Sequence, residues 1–201
     1  MPDFRCAAVL LAAGASTRLG QPKQLVRVDG ESLLRRTARL AIEAGCSPTL
    51  VVLGFDAEPM RGELDGLAVD VVVNQNWQEG MGASLRAGME ALRTVDPQPQ
   101  AALILVCDQP RLTASHLNTL LTRHKTISTT SDIAITASIY ARRAGVPAIF
   151  AAKLFPDLRS SQGDRGAKDL IHAHAAQVLG VPWPNGEIDI DLPGDLITIE
   201  H

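Results

Sequence analysis

Aromatic side chains are scarce: the 201 residues hold one Tyr, two Trp and four Phe. So few ring faces argue against a surface on which single-stranded nucleic acid stacks. A strong charge of one sign is also lacking. The formal net charge of -3 gives no general attraction to nucleic acid or to an anionic membrane, so positive charge matters only locally. Cysteine is limited to Cys6, Cys46 and Cys107, far apart and without a Cys-x-x-Cys pair, which indicates neither a disulfide framework nor a zinc site. A reducing cytoplasm is the expected location. The apolar run over residues 6–13 is too short and too poorly flanked for a signal peptide or a membrane span. Repeats and low-complexity tracts are missing as well, and the stretch around Pro97 and Pro99 reads as a loop rather than a linker. With 46% hydrophobic and 20% charged residues, the chain suits one α/β domain over 1–201.

What is present begins at residues 9–23, Val-Leu-Leu-Ala-Ala-Gly-Ala-Ser-Thr-Arg-Leu-Gly-Gln-Pro-Lys, an apolar strand running into a glycine-broken loop with two cations. Backbone N–H groups freed at Gly14 and Gly20 can turn toward an anion, Ser16 and Thr17 can donate, and Arg18 and Lys23 bring charge that a triphosphate would balance. A Walker loop is excluded because Gly20 is followed by Gln21 and Pro22, and no Ser or Thr follows Lys23. The dinucleotide fingerprint Gly-x-Gly-x-x-Gly is excluded because Ser16 stands where its second glycine belongs. Pro22 keeps the loop from running smoothly into a helix.

Short apolar runs at 6–12, 49–53, 69–73, 102–106 and 133–137 alternate with helix-period stretches at 32–44, 83–93, 114–123 and 167–176. That alternation predicts a mostly parallel sheet with helices on both faces. Residues 140–150 read as less regular, because Gly145 and Pro147 interrupt them. Ligands of such sheets sit at the carboxyl ends of the strands, where Gly14 and Asp108 would both lie.

Asp108 follows a buried run, so it would project toward the Gly14 loop; the alternative, a helix cap, suits Thr113 better. Asp189 and Asp191 alternate with Ile188, Ile190 and Leu192, so on a strand both carboxylates would share one face. They could equally line a polar edge or cap a helical turn at 193–196. Asn74 offers an amide to a base edge or ribose, or serves a strand-end turn. Residues 163–166, Gly-Asp-Arg-Gly, either bring Asp164 or Arg165 to a substrate or form a tight turn. His172 and His174 fall on different sides of a helix, and His116, His124 and His201 have no ligand spacing.

The first loop resembles that of the MobA-like nucleotidyltransferases, Leu-Ala-x-Gly-x-Ser-x-Arg-Met-Gly-x-x-Lys, at Leu11, Ala12, Gly14, Ser16, Arg18, Gly20 and Lys23, with Leu19 where Met is usual. Later segments follow in order: Asn74 with Gly80-Met81-Gly82-Ala83-Ser84-Leu85, Cys107-Asp108-Gln109-Pro110, Gly145-Val146-Pro147, Gly163-Asp164-Arg165-Gly166 and Asp189-Ile190-Asp191. Within the family the chain looks most like the molybdenum cofactor cytidylyltransferases. The resemblance implies a Rossmann-like three-layer sandwich of the nucleotide-diphospho-sugar transferase type, its N-terminal half binding nucleotide and its C-terminal half the acceptor. It implies Mg²⁺-dependent transfer of CMP from CTP to the terminal phosphate of molybdopterin, with Mn²⁺ as the alternative ion. Nucleotide binding then falls to Leu11, Ala12, Ala13, Gly14, Ser16, Arg18, Lys23, Asn74, Gly80 and Ser84, with Arg18 and Lys23 catalytic. Asp108 and Asp191 would ligate the metal, and Gln109, Asp164 and Arg165 would meet the acceptor. The family's cytidylyltransferases have Ala at position 13 and its guanylyltransferases Gly, which favours CTP weakly. The product would pass to a molybdenum hydroxylase or its insertion chaperone. The alternatives are GTP, another phosphorylated acceptor, or an NAD(P)H-dependent oxidoreductase on the same fold.

Overall fold

Cys6–Leu11 forms β1, buried at all six positions because a strand lies on either side of it and helices cover both faces. The computed structural model describes residues 4–127, 131–164, 166–192 and 194–195. Arg165, His201 and the ends of the expected turn at 193–196 lie outside the described residues. The remaining strands are β2 (Arg27–Val28), β3 (Glu31–Ser32), β4 (Thr49–Leu53), β5 (Asp70–Val73), β6 (Ala101–Val106), β7 (Ile135–Tyr140), β8 (Arg143–Ala151) and β9 (Val178–Pro182). Seven of them form one sheet in the order β5-β4-β1-β6-β8-β7-β9, while β2 and β3 make a small separate hairpin. Strands β5, β4, β1 and β6 are parallel, β8 is antiparallel to both β6 and β7, and β9 is parallel to β7.

The two-residue period of a strand divides β1 between two cores. Ala8 and Leu10 pack with Leu34, Ala38 and Ala41 of α1 (Leu33–Glu43), Met60 of α2 (Ala57–Glu63) and Leu117 and Leu120 of α4 (Ala114–Ile127). Ala7, Val9 and Leu11 face the other way, toward Leu85 and Met89 of α3 (Met81–Ala91), Phe155 and Leu158 of α5 (Phe155–Arg159) and Ile171 of α6 (Ala167–Ala173). The result is the expected three-layer α/β sandwich. Ser32 caps α1 by accepting a hydrogen bond from Arg35 N–H at 3.3 Å, and Gly45 takes a φ of 83° just after the helix. Thr113 Oγ1 accepts from His116 N–H at 3.2 Å, so the cap of α4 is Thr113 and Asp108 is free for other work.

Two expectations need correction. Residues 140–150 are the hairpin of β7 and β8, with strand β7 lying two to three residues later than the run at 133–137 suggests. Pro147 is tolerated in β8 because the register slips between Ala137 and Ser138: Ala137 pairs with Ala148, and Ser138 with Gly145. Val146 and Pro147 therefore bulge out of the ladder, where a missing N–H costs nothing and the carbonyls are free to accept from side chains. Residues 188–191, moreover, are not a strand. Their backbone meets Asp108 through one hydrogen bond, Ile190 N–H to Asp108 C=O at 3.0 Å.

Candidate active site

The loop after β1 is held in shape by a side chain that the motif comparison passes over. Gln24 is buried, and its Nε2 donates to the carbonyls of Ala12 at 2.9 Å and Gly14 at 2.7 Å. Ser16 adopts a positive φ of 52°, accepts from Lys23 N–H at 3.1 Å and donates to Gln24 Oε1 at 3.3 Å. Both residues thus brace the loop from within. Leu19 anchors its far side in a small core with Val26, Val28, Leu33 and Ile190.

That small core explains why Asp191 reaches the site. Ile190 is fully buried against Leu19, so its neighbours are pinned beside the loop, and Asp195 Oδ2 fixes the turn by accepting from the N–H groups of Asp191 at 3.0 Å and Leu192 at 2.7 Å. Lys23 Nζ then lies 2.6 Å from Asp108 Oδ2 and 3.1 Å from Asp191 Oδ1. Burial by itself would lower the pKa of this ammonium, but the charge and hydrogen bond of Asp108, helped by Asp191, override it and hold the group above its ordinary value. Asp189 makes no such pair among the described residues. Burial first, then the nearby charges of Asp108 and Asp191, raise its pKa from its ordinary value. Burial pushes the Cys107 thiol up to about 12, which keeps it protonated near neutral pH.

Two adjoining lobes open at the carboxyl ends of β1 and β6, and they share Leu11, Met81, Val106 and Asp108. The first, about 320 Å³, is lined by Ala12, Ala13, Gly14, Lys23, Gln24, Trp77, Gln78, Gly80, Ser84 and Asp164. The second, about 270 Å³, is lined by Gln109, Tyr140, Arg143, Gly145, Lys168, Gly186, Glu187 and Asp189 among others. Most of the sequence's nucleotide candidates therefore meet in the first lobe. Arg18 is exposed on the loop outside that lining, and Asn74 is buried behind it, donating from Nδ2 to Ser84 Oγ at 3.1 Å while Oδ1 accepts from Asn76 N–H at 3.0 Å. Asp164, one of the acceptor candidates, lines the first lobe. The reason is that Gly82 N–H donates to Gly163 C=O at 2.8 Å, drawing the 163–164 turn against Gly80.

The second lobe is built largely from residues the sequence did not single out. Tyr140 Oη donates to the bulged Val146 carbonyl at 3.0 Å, and a Cβ at Gly145 would collide with its ring. Gln109 Nε2 donates to Val146 and Gly186 carbonyls, both at 3.2 Å, while its buried Oε1 has no hydrogen-bond partner among the described residues. Behind Tyr140, Trp183 packs edge-on at 5.7 Å and stacks on His116 at 4.8 Å. A regular alternation at 135–151 could have exposed this wall; the glycine and proline in it hid the signal.

Among the described residues no cluster of three or more His, Cys, Asp or Glu side chains encloses a metal by itself. Asp108 and Asp191 nevertheless converge on one cation, Lys23 Nζ, and two carboxylates completed by substrate oxygens are what Mg²⁺ or Mn²⁺ ordinarily takes beside a nucleotide. The donor set fits such an ion.

The family described as MobA-like NTP transferase domain matches residues 8–178, which include the loop, Asp108 and the glycine turns and stop short of Asp189 and Asp191. Nicotine blue oxidoreductase of Paenarthrobacter nicotinovorans is 34% identical over 171 residues, 83% of this chain and 81% of that protein. A probable molybdenum cofactor guanylyltransferase of Nostoc sp. is 25% identical over 197 residues, 96% of this chain and 89% of that protein. The crystal structure of Rv0371c from Mycobacterium tuberculosis H37Rv matches with a TM-score of 0.80 and 29% identity, over 98% of this chain and 99% of that one. A complex of Rv0371C with manganese matches at 0.74 and 28%, over 98% and 97% of the two chains. The chain belongs to the MobA-like NTP transferase domain family.

Proposed function

We propose that the protein transfers CMP from CTP to the terminal phosphate of molybdopterin and releases pyrophosphate, working in the cytoplasm as a single domain over 1–201. Its N-terminal half holds the nucleotide and its C-terminal half the acceptor. The observation that carries this reading is the position of Asp108 on the wall common to both lobes, ion-paired to the loop lysine. A nucleotide in the first lobe and an acceptor in the second would meet there.

An oxygen of the acceptor phosphate forms a bond to the α-phosphorus while the bond from that phosphorus to the bridging oxygen of the leaving pyrophosphate breaks in line. The acceptor phosphate is already ionised near neutral pH, so no general base is needed. Positioning and charge stabilisation are what remains for the protein. Lys23 serves the α-phosphate, and Arg18, exposed on the loop, serves the departing pyrophosphate. A divalent cation, Mg²⁺ with Mn²⁺ as the alternative, would be held by Asp108 and Asp191 and would supply positive charge to the phosphate oxygens.

The second lobe suits a flat heterocycle with a phosphate. Leu11, Ile104, Val106 and Met81 give it an apolar side, Gln109 Oε1 lacks the N–H donor that a pterin edge would bring, and Arg143 and Lys168 stand ready for an anionic group. The likeness to the Nostoc guanylyltransferase supports a molybdenum cofactor acceptor, and Ala13 favours CTP over GTP. The product would pass to a molybdenum hydroxylase or its insertion chaperone. Pyrophosphate release from CTP and GTP, with Mg²⁺ and with or without molybdopterin, tests the reading: release should need the pterin and favour CTP. Asp108→Asn should lower that turnover by about a hundredfold or more, on the scale of losing one charge-stabilising group.

A second reading has an observation behind it, since the relative at 34% identity is a nicotine blue oxidoreductase. Against it stand the missing dinucleotide fingerprint and the paired carboxylates of Asp108 and Asp191 beside Lys23. Titration with NADPH separates the two: saturable binding with oxidation by a heteroaromatic acceptor would favour the reductase, and absence of binding removes it.

A further inference from the structure

Three segments far apart in the chain bring Lys23, Asp108 and Asp191 to one point. Lys23 sits in the short 3₁₀ turn after the first loop, Asp108 lies past the end of β6, and Asp191 returns on the segment anchored by Ile190. The Lys23 and Asp108 side chains are only 20% and 19% exposed, so water screens this ion pair incompletely. One ammonium is thus clamped on the very oxygens that would ligate a divalent cation, and the cluster retains an excess of one negative charge.

We propose that Lys23 is an exchangeable counter-ion: it occupies the carboxylate pair in the resting protein, keeps free divalent metal out, and yields the carboxylates when nucleotide arrives. The inference rests on the nucleotidyltransferase reading for the identity of what arrives. The ammonium and a divalent cation need the same Asp108 and Asp191 oxygens, and they repel one another at that separation. Nucleotide resolves the conflict by offering phosphate oxygens to the displaced ammonium. Lys23 also lines the first lobe, so its Nζ can leave the carboxylates for those phosphates without a change of fold. Metal and nucleotide binding are then positively coupled, with Lys23 as the group that both ligands bias.

The test needs neither acceptor nor turnover. Mn²⁺ affinity would be measured by electron paramagnetic resonance on the nucleotide-free full chain for the wild type, Lys23→Met and Lys23→Gln, with thermal midpoints followed as Mn²⁺ is added. Both variants should bind free Mn²⁺ tighter than wild type by about tenfold or more, on the scale of a coupling between two ligands. Mn²⁺ should also raise their midpoints more than it raises that of the wild type. The gain should vanish when Asp108→Asn or Asp191→Asn is added to either variant. Lys153→Met, which removes one exposed cation elsewhere, should show no gain. Unchanged or weaker Mn²⁺ binding in the Lys23 variants, a gain that survives loss of the aspartates, or an equal gain in Lys153→Met would each overturn the proposal. Because the readout is metal affinity alone, a failed pyrophosphate assay would count against the proposed reaction and leave the exchange standing or falling by its own result.

Discussion

On the proposed function, selectivity for the base would rest on a few atoms around Ala13. A Cβ built on Gly54 would lie 2.6 Å from Trp77 Cβ, 2.8 Å from the Ala13 carbonyl and 2.9 Å from Ala13 Cβ, so these three residues form one tightly packed wall. Ala13 itself is only 5% exposed, so its methyl lies against Gly54 as well as at the first lobe. Gly54→Ala should therefore press Trp77 toward the first lobe. Overpacking of this kind costs about 1 to 3 kcal/mol of stability, and with Trp77 pressed into the first lobe KM for CTP and GTP should rise together. Ala13→Gly should instead change their ratio, raising kcat/KM for GTP relative to CTP by about tenfold or more, the scale of one methyl in a pocket. An unchanged ratio would remove Ala13 from the selectivity argument. At this scale the sequence singled out Gly14, Lys23 and Asp108 by residue type, and the structure brings all three to the lining of the first lobe. The sequence did not show Gln24, since nothing in one dimension marks a side chain that folds back onto the carbonyls of its own loop.

Helix α3 illustrates how an element delivers site residues. It carries Met81 and Ser84 to the lobes and approaches the sheet through Gly88, where a Cβ would lie 2.5 Å from Val9 Cγ1 and 2.9 Å from Val52 Cγ2. Alanine improves intrinsic helix propensity by about 1 kcal/mol over glycine, yet Gly88→Ala should lower stability by about 1 to 3 kcal/mol because the helix must lift from β1 and β4. A fall in the urea midpoint at unchanged slope would show this, and a rise would mean that the sheet yields. Elements with clean periodicity, such as β1, α1 and α4, were legible in the sequence. The hairpin of β7 and β8 was not, because Gly145 and Pro147 are read locally as breakers while the bulge that admits them is set by pairing with a partner strand.

Across the whole molecule, two histidines of α4 link folding to pH. His116 Nε2 lies 2.8 Å from Ser138 Oγ, and because that hydroxyl donates its single proton to the Pro147 carbonyl at 2.7 Å, Nε2 must carry a proton and donate. His124 Nδ1 lies 3.0 Å from Thr136 Oγ1 on the same strand, and burial lowers both imidazoles to about 4. The unfolded chain takes up these protons near pH 6.5 and the folded chain only near 4. Stability is thus full above the upper value and falls through that window, by at most about 1.4 kcal/mol per pH unit for each histidine. His116→Gln with His124→Gln should flatten the dependence of ΔG on pH between 6.5 and 4, as measured by urea unfolding, and an unchanged slope would contradict the assignment. The sequence alone determined the α/β layering, through apolar periodicity, and the membership of the MobA-like family, through motifs set close together in the chain. Only the tertiary structure decided that Asp191 joins Lys23 and Asp108, that Asp164 faces the first lobe, and that Tyr140, Gly186 and Gln109 share a wall. Those meetings depend on packing between residues far apart in the chain, with Ile190 buried under the loop and the 163–164 turn held against Gly80, and no local pattern encodes them.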